Sequence, residues 1–105
     1  RFLERGIEQR VRALNAFLEK TKSVVDRRTT VVILGDGRTN YQAAGEDALA
    51  RIRARAKSVV WICPEPREKW AEGDSAMARY AAIVDVLEVR SARDLELAAR
   101  RIASR

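Results

Sequence analysis

Apolar and polar positions alternate along the chain in a pattern that predicts one long helix followed by three strand–helix units. The first helix is predicted over residues 2–25, because apolar residues recur there at spacings of three and four and so lie on one helical face. That stripe comprises Leu3, Ile7, Val11, Leu14, Leu18, Thr21 and Val25. The apolar run from Thr29 to Leu34 predicts a strand. Because this run is continuous rather than alternating, we expect a central strand that is buried on both faces.

A helix completes the first strand–helix unit, and two further units follow it. A helix is predicted over residues 45–57, with acidic residues in its first turn and basic residues in its last, as the helix dipole favours. The second strand runs from Ser58 to Cys63 and ends at Pro64-Glu65-Pro66. After a loop over 67–73 we expect a short third helix, a third strand over 85–89 and a last helix. The side chains expected to be buried on the second and last helices are Leu49, Ile52, Ala56, Leu95, Ala98 and Ile102.

Polar residues mark where the last two helices begin. Asp74 or Ser75 is expected to cap the short third helix, because their side-chain oxygens can accept from free backbone N–H groups. The sequence from Ser91 to Asp94 has the spacing of a capping box, with Asp in place of Glu or Gln, and is expected to open the last helix.

This order of elements predicts an α/β fold with three layers, in which helices cover a parallel sheet and right-handed crossovers join its strands. Three strands are few for a doubly wound sheet, and the chain starts at Arg1, with Met77 its one methionine. We therefore expect an amphipathic helix over residues 1–26 that leads into half of a domain over residues 27–105. Half a sheet would leave an open edge and an uncovered apolar face. We accordingly expect self-association or pairing with the missing half.

Composition excludes several functional classes. The 105 residues are 47% apolar and 34% charged, which suits a soluble globular protein. No apolar run approaches the ~20 residues needed to cross a membrane, and the basic amino terminus is not followed by a secretory apolar core. The absence of histidine removes the commonest general base and zinc ligand, and no nucleophile with an activator can be named, so we expect no enzyme. Cys63 is the one cysteine, which favours the reducing cytoplasm and a small buried side chain rather than a reactive thiol.

The basic charge of the chain supports an alternative function. The net charge of +6 admits a basic α/β module that binds nucleic acid or an acidic protein. The second predicted helix carries Arg51, Arg53 and Arg55 as a basic patch. Mixed-sign helix faces explain such patches without a ligand, and aromatic residues do not alternate with basic ones along a strand. Nucleic acid is therefore the disfavoured interpretation.

Asp36 lies between Gly35 and Gly37, where the first predicted strand ends. Open parallel sheets bind ligands outside the carboxyl ends of their strands, and a carboxylate there suits a hard divalent cation. The two glycines would allow positive φ and close backbone approach. The alternative is a plain turn, which spacing alone favours because Asp-Gly is a common turn pair. The polar residues available to orient the acid or fix the loop are Arg38, Thr39 and Asn40.

Four other residues admit both a functional and a structural interpretation. Glu65 follows the second strand and could line the same edge of the sheet as Asp36. Asp74 is favoured as a helix cap over a ligand. Trp61 belongs to a buried strand and is expected in the core, and Trp70 is expected to pack and pin its loop.

Two stretches of the chain resemble the carboxyl-terminal half of von Willebrand factor A (VWA) domains, and most closely their bacterial CoxE-like branch. They are RRTTVVILGDGRTNY and VVWICPEPREKWAEGDSAMARYAAIVDVLEVRSARDLE. The similarity covers roughly residues 27–103, and the first helix matches the one that precedes the fourth VWA strand. Its most specific parts are GDGR at 35–38, CPEP at 63–66, Trp70, and GDS at 73–75 followed by Met77 and Tyr80.

The resemblance implies half of a doubly wound, Rossmann-like VWA domain and a role for Asp36. VWA domains hold a divalent cation such as Mg²⁺ at a metal-ion-dependent adhesion site, built from an Asp-x-Ser-x-Ser motif, a Thr and an Asp after the fourth strand. Asp36 corresponds to that last Asp. The Asp-x-Ser-x-Ser motif is absent, and Thr39 lies in the wrong segment to supply the Thr. A single carboxylate holds Mg²⁺ poorly, so we expect this chain alone to bind metal weakly or not at all.

The resemblance also implies a function and a partner. VWA domains of this branch are non-catalytic protein-interaction modules, and their implied bacterial partners are MoxR-type AAA+ ATPases that act in the maturation of larger enzymes. Recognition would use an acidic residue of the partner to fill an open position on the metal.

Overall fold

The computed structural model describes residues 7–20, 24–39 and 44–104 of the chain, with the backbone alone for residues 7–11 and 13. Its elements are α1 (Ile7–Lys20), β1 (Thr30–Leu34), α2 (Glu46–Arg55), β2 (Ser58–Cys63), a short 3₁₀ helix (Arg67–Lys69), α3 (Met77–Ala81), β3 (Asp85–Glu88) and α4 (Ala92–Ala103). The strands form one parallel sheet in the order β1-β2-β3. The predicted α/β class and the parallel arrangement are confirmed.

One face of the sheet carries the core of the domain. Alternate residues of the paired strands point to it, so that Val31 lies beside Val59, and Trp61 beside Val86. These side chains form one apolar cluster with buried residues of three helices, and each fully buried aliphatic side chain contributes about 1.5–3 kcal/mol. The helical members of the cluster include Leu14 and Leu18 of α1, Leu49 and Ile52 of α2, and Met77 and Tyr80 of α3. The buried edge predicted for the second helix is confirmed.

The opposite face of the sheet is covered only in part. Val60 of the central strand β2 is fully buried, but Val32 and Leu34 of β1 are 44% and 67% exposed. The prediction of a central first strand buried on both faces is therefore wrong. The strand β1 lies at the edge of the sheet, and α4 lies over β3 instead, where Arg101 pairs with Asp85 at 3.4 Å. The open edge and the uncovered apolar face expected of a half sheet are present in the described part of the chain.

The last helix touches the sheet along a narrow line. Ala98 is buried, and Asp94 and Ile102, one turn away on either side, are half-buried. Leu95 is 54% exposed, so its predicted burial is wrong. Because successive helical residues are 100° apart, Leu95 lies beside the contact line rather than on it. Ser91 accepts from the N–H of Asp94 at 3.1 Å and so confirms the cap, while the Asp94 carboxylate accepts from Arg90.

Two predicted helices end earlier than expected. Val24 and Val25 follow α1 in a turn, where Asp26 Oδ1 accepts the N–H of Arg28 at 2.8 Å. Val25 is nevertheless buried, whereas Leu3 and Thr21 of the predicted stripe lie outside the described residues. The second helix stops at Arg55 rather than Lys57, because the N–H of Lys57 already donates to a carbonyl beside β1. The division of the chain at residues 26 and 27 stays a prediction.

No helix of the described residues is both long enough and apolar enough to span a membrane.

Candidate functional site

The loop over Gly35-Asp36-Gly37 leaves β1 at the carboxyl edge of the sheet, as predicted. The backbone of Gly35 is held from two sides. Its N–H donates to the carbonyl of Ile62 at 3.2 Å, which extends the pairing of β1 with β2. Its carbonyl accepts the indole N–H of Trp61 at 2.9 Å. Trp61 is a core residue, as expected, and it also fixes the start of the loop.

Gly37 meets a steric requirement that no other residue type satisfies. Its φ is +75°, in the region that residues with a Cβ seldom adopt. A Cβ at this position would overlap the side chain of Met77, and the carbonyl of Gly37 accepts the N–H of Ala76 at 2.8 Å. Gly35, in contrast, is not among the glycines with positive φ. Of the two glycines expected to allow positive φ, only Gly37 therefore adopts it.

The carboxylate of Asp36 takes part in a turn through one of its two oxygens. Its Oδ1 accepts the backbone N–H of Arg38 at 2.9 Å, the geometry of an Asx turn. Among the described residues, Oδ2 has no hydrogen-bond or ion-pair partner. The turn interpretation is therefore correct for one oxygen, and no described residue occupies the second.

The side chain of Arg38 connects three loops at this edge of the sheet. Its guanidinium makes a two-pronged contact with the carboxylate of Glu65, with Nε donating to Oε2 at 3.1 Å. It also donates to Asp74 at 3.3 Å and to the carbonyl of Glu72 at 2.7 Å. The hydrogen bonds that Arg38 donates to the Glu65 carboxylate raise the pKa of Arg38 above its already high ordinary value, so that the side chain stays charged.

The loop before α3 is joined to the Asp36 loop through its backbone. Thr39 is 2% exposed, and both its N–H and its hydroxyl donate to the carbonyl of Asp74. The prediction of Asp74 as a cap is wrong, because the residue at the N-cap position of α3 is Ala76 and the Asp74 carboxylate pairs with Arg38. Ser75 accepts from the N–H of Met77 at 3.2 Å, as its predicted alternative role requires. Asn40, also proposed to fix this loop, lies outside the described residues.

Trp70 packs in the loop that follows β2, as predicted. Its ring is 4% exposed, its indole N–H donates to the carbonyl of Glu65 at 3.0 Å, and the Arg67 guanidinium lies 4.3 Å from the ring centroid. Trp70 thereby holds the backbone of Glu65 while Arg38 holds its carboxylate. Glu65 does lie at the same edge as Asp36, but its side chain is engaged in an ion pair.

A comparison with known families agrees with this architecture. The family described as VWA domain containing CoxE-like protein matches residues 6–98. The chain belongs to this family. The VWA resemblance of the sequence is thereby confirmed, and the parallel sheet with its flanking helices agrees with the Rossmann-like fold of VWA domains. Neither the curated proteins nor the solved structures include a match to the chain.

The residues described in this CoxE-like chain do not make a metal site by themselves. They include no group of three or more Asp, Glu, Cys or His side chains placed to hold a metal ion. Mg²⁺ requires several convergent oxygens. Of the three carboxylates nearest the loop, those of Glu65 and Asp74 are paired with Arg38. Of these three carboxylates, only that of Asp36 therefore has an oxygen without a partner among the described residues.

The structure also shows the surroundings of two other candidates, Cys63 and the basic patch on α2. Cys63 is fully buried, and burial raises the pKa of its thiol, as expected of a small core side chain rather than a reactive nucleophile. In the basic patch on α2, Arg51 and Arg53 are exposed, whereas Arg55 donates to the carbonyl of Leu18 at 2.9 Å and so ties α2 to α1.

The part that sequence reasoning missed is the role of Arg38 as the centre of the site. A signal for it exists in the strand register. Leu34 of β1 pairs with Ile62 of β2. Arg38 lies four residues after Leu34, and Glu65 lies three residues after Ile62. Opposite charges that leave adjacent parallel strands at the same edge lie within reach of each other. The sequence pattern identified each residue but did not join them.

Proposed function

We propose that this chain is a non-catalytic protein-interaction module in which Asp36 supplies one carboxylate to a divalent-metal-dependent adhesion site. The observation that supports this proposal is the state of the carboxylate. One oxygen is fixed by the N–H of Arg38 and the other has no partner among the described residues. The carboxylate of Asp36 lies at the edge where open parallel sheets bind ligands. A carboxylate already held in one direction is suited to coordination.

Mg²⁺ is the proposed cation, because carboxylate oxygens suit hard divalent ions. The remaining ligands must come from outside the described residues, since Asp36 supplies one and the neighbouring acids are engaged by Arg38. The adhesion site of VWA domains takes those ligands from an Asp-x-Ser-x-Ser motif and a Thr. The chain alone is expected to bind Mg²⁺ weakly or not at all.

The proposed partner is a protein that presents an acidic residue to the metal, and for a CoxE-like domain we propose a MoxR-type AAA+ ATPase in the bacterial cytoplasm. A carboxylate of the partner would take an open position on the cation. This mode of recognition needs no catalytic group in the chain, which agrees with the absence of histidine from its sequence.

Replacing Asp36 with asparagine should abolish metal-dependent binding of the partner while preserving the fold. Asparagine keeps an oxygen that can accept from Arg38, but it lacks the charge that holds the cation. In the full-length protein, we expect D36N to weaken binding of the ATPase in Mg²⁺ at least about tenfold, as measured by calorimetry. Chelation with EDTA should have the same effect on the wild type.

The matched control is Asp47→Asn, which removes an exposed carboxylate from the first turn of α2. This variant should bind the partner as the wild type does. Binding that survives both D36N and EDTA would contradict the proposed metal role.

The uncovered part of the sheet supports a second expectation, that the isolated chain pairs with another copy or with the missing half of its domain. Val32 and Leu34 are exposed apolar residues on an edge strand that carries no charge. We expect light scattering to give a mass above that of the monomer at micromolar concentration. Leu34→Lys should lower that mass, because a charge on an edge strand opposes pairing.

Leu97→Lys is the matched control for this experiment, because Leu97 is an exposed leucine on α4 rather than on the edge strand. A monomeric wild-type mass together with cooperative unfolding would rule out the pairing.

A further inference from the structure

We propose that Arg38 is a positioning residue of the strand-end site, and that Glu65 and Asp74 act on Asp36 through Arg38 rather than as ligands. This inference rests on the proposed function of Asp36. It assigns the neighbouring acids to the support of the site, because the carboxylates of Glu65 and Asp74 are both paired with Arg38.

The backbone and the side chain of Arg38 act on different groups. Its N–H is donated to Asp36 Oδ1 at 2.9 Å, so the position of the Arg38 backbone determines the direction of that carboxylate. Its guanidinium is joined to Glu65 and Asp74 and to the carbonyl of Glu72. Because Glu65 follows β2 and Asp74 precedes α3, one side chain fixes the Asp36 loop against two other segments of the fold.

The burial and geometry of these contacts support a rigid connection. The side chains of Arg38, Glu65 and Asp74 are 27%, 28% and 21% exposed, so solvent screens their attraction less than on an open surface. The two-pronged contact with Glu65 uses the planar fork of the guanidinium, which an ammonium group cannot reproduce. Trp70 holds the backbone of Glu65 from the other side.

The charges of this cluster agree with a cation site at Asp36. One guanidinium stands against the three carboxylates of Asp36, Glu65 and Asp74, which leaves a formal excess of two negative charges. Arg38 therefore orients the acids without reversing the sign of the local charge. Supporting groups of this kind commonly change metal affinity by about 10–100-fold when they are removed.

Arg38→Lys is the decisive variant, because lysine keeps the positive charge but cannot make the forked contact. We would record amide hydrogen exchange and paramagnetic broadening by Mn²⁺ on the ¹⁵N-labelled full-length protein, since broadening detects even weak and brief metal encounters. In R38K, the amide of residue 38 should exchange at least about tenfold faster, as expected when a charge-assisted hydrogen bond is lost. The broadening of the amides at positions 36–38 should decrease, with the core amides of Val60 and Trp61 unchanged.

Two further variants make the outcome decisive. Arg100→Lys changes an exposed arginine that pairs with Glu96 on α4, and it should leave both measurements as in the wild type. Asp36→Asn should remove the broadening at positions 36–38. If D36N removes it and R38K does not, Arg38 has a structural role alone and the inference is wrong. An unchanged exchange rate at residue 38 in R38K would also overturn it.

The same experiment also tests the proposed function, with a different outcome. If D36N leaves the broadening of the wild-type chain intact, Asp36 does not bind the cation and the proposed function itself is wrong. The exchange rate at residue 38 then still decides whether Arg38 orders the loop.

Discussion

Replacing Gly37 with alanine should destabilise the domain by about 2–4 kcal/mol, because two separate costs combine at this position. The φ of +75° places any residue with a Cβ in the left-handed region, at a cost of about 1–2 kcal/mol. The new Cβ would also overlap Met77, which is fully buried and cannot move into solvent. Guanidinium unfolding monitored by circular dichroism measures the change in the free energy of unfolding.

The two costs can be separated with control variants. Gly73 has a φ of 57° in an exposed loop, so Gly73→Ala should show the conformational cost alone, about 1–2 kcal/mol. Met77→Ala removes the side chain that the new Cβ at position 37 would meet, so G37A should cost less in that background. If G37A costs the same with and without Met77, the steric explanation is wrong.

This variant also connects the core with the proposed site. The carbonyl of Gly37 accepts the N–H of Ala76, and the flanking residues are Asp36 and Arg38. A shift at Gly37 would therefore displace both the carboxylate and the residue that positions it. We expect G37A, where folded, to lose metal-dependent partner binding as D36N does.

The elements of the fold could be predicted because their signals are local. The stripe of α1, of which Leu14 and Leu18 are described, the stripe of α2, the two-sided apolar run of β2 and the cap at Ser91 depend on spacings within a few residues, and the described part of the chain contains them. Burial on the outer face of the sheet could not be predicted in the same way. Val32 and Leu34 are apolar, but their exposure depends on which helix lies over β1, and that is a property of the whole assembly.

In the candidate site, too, features set by neighbouring residues could be predicted, whereas contacts between distant parts of the chain could not. The position of Asp36 at a strand end followed from an apolar run that stops at Gly35. The ion pairs of Arg38 join segments separated by 27 and 36 residues, so no local pattern reveals them. Asp74 shows why this matters, because its spacing is that of a helix cap whereas the structure commits its carboxylate to Arg38. The stronger charge-assisted contact prevails over the local preference.

Trp61→Ala should have the largest effect on stability in the chain, about 3–5 kcal/mol, as expected for removal of a fully buried tryptophan. Trp61 stacks on Tyr80 with ring centroids 4.4 Å apart, and its indole N–H holds the carbonyl of Gly35. Domains of this size are stable by about 5–15 kcal/mol, so the variant would lose between about one fifth and all of its stability. Guanidinium unfolding again provides the measurement.

Trp61→Phe separates the packing of the ring from its hydrogen bond. Phenylalanine keeps an aromatic face against Tyr80 but leaves Gly35 without its indole donor, so we expect a loss of about 1–3 kcal/mol. Tyr80→Phe is the matched control, since it preserves the stack and removes the hydroxyl that donates to Ala44. Faster amide exchange at positions 36–38 in W61F, but not in Y80F, would show that the core residue Trp61 fixes the Asp36 loop. Equal exchange in the two variants would restrict Trp61 to packing.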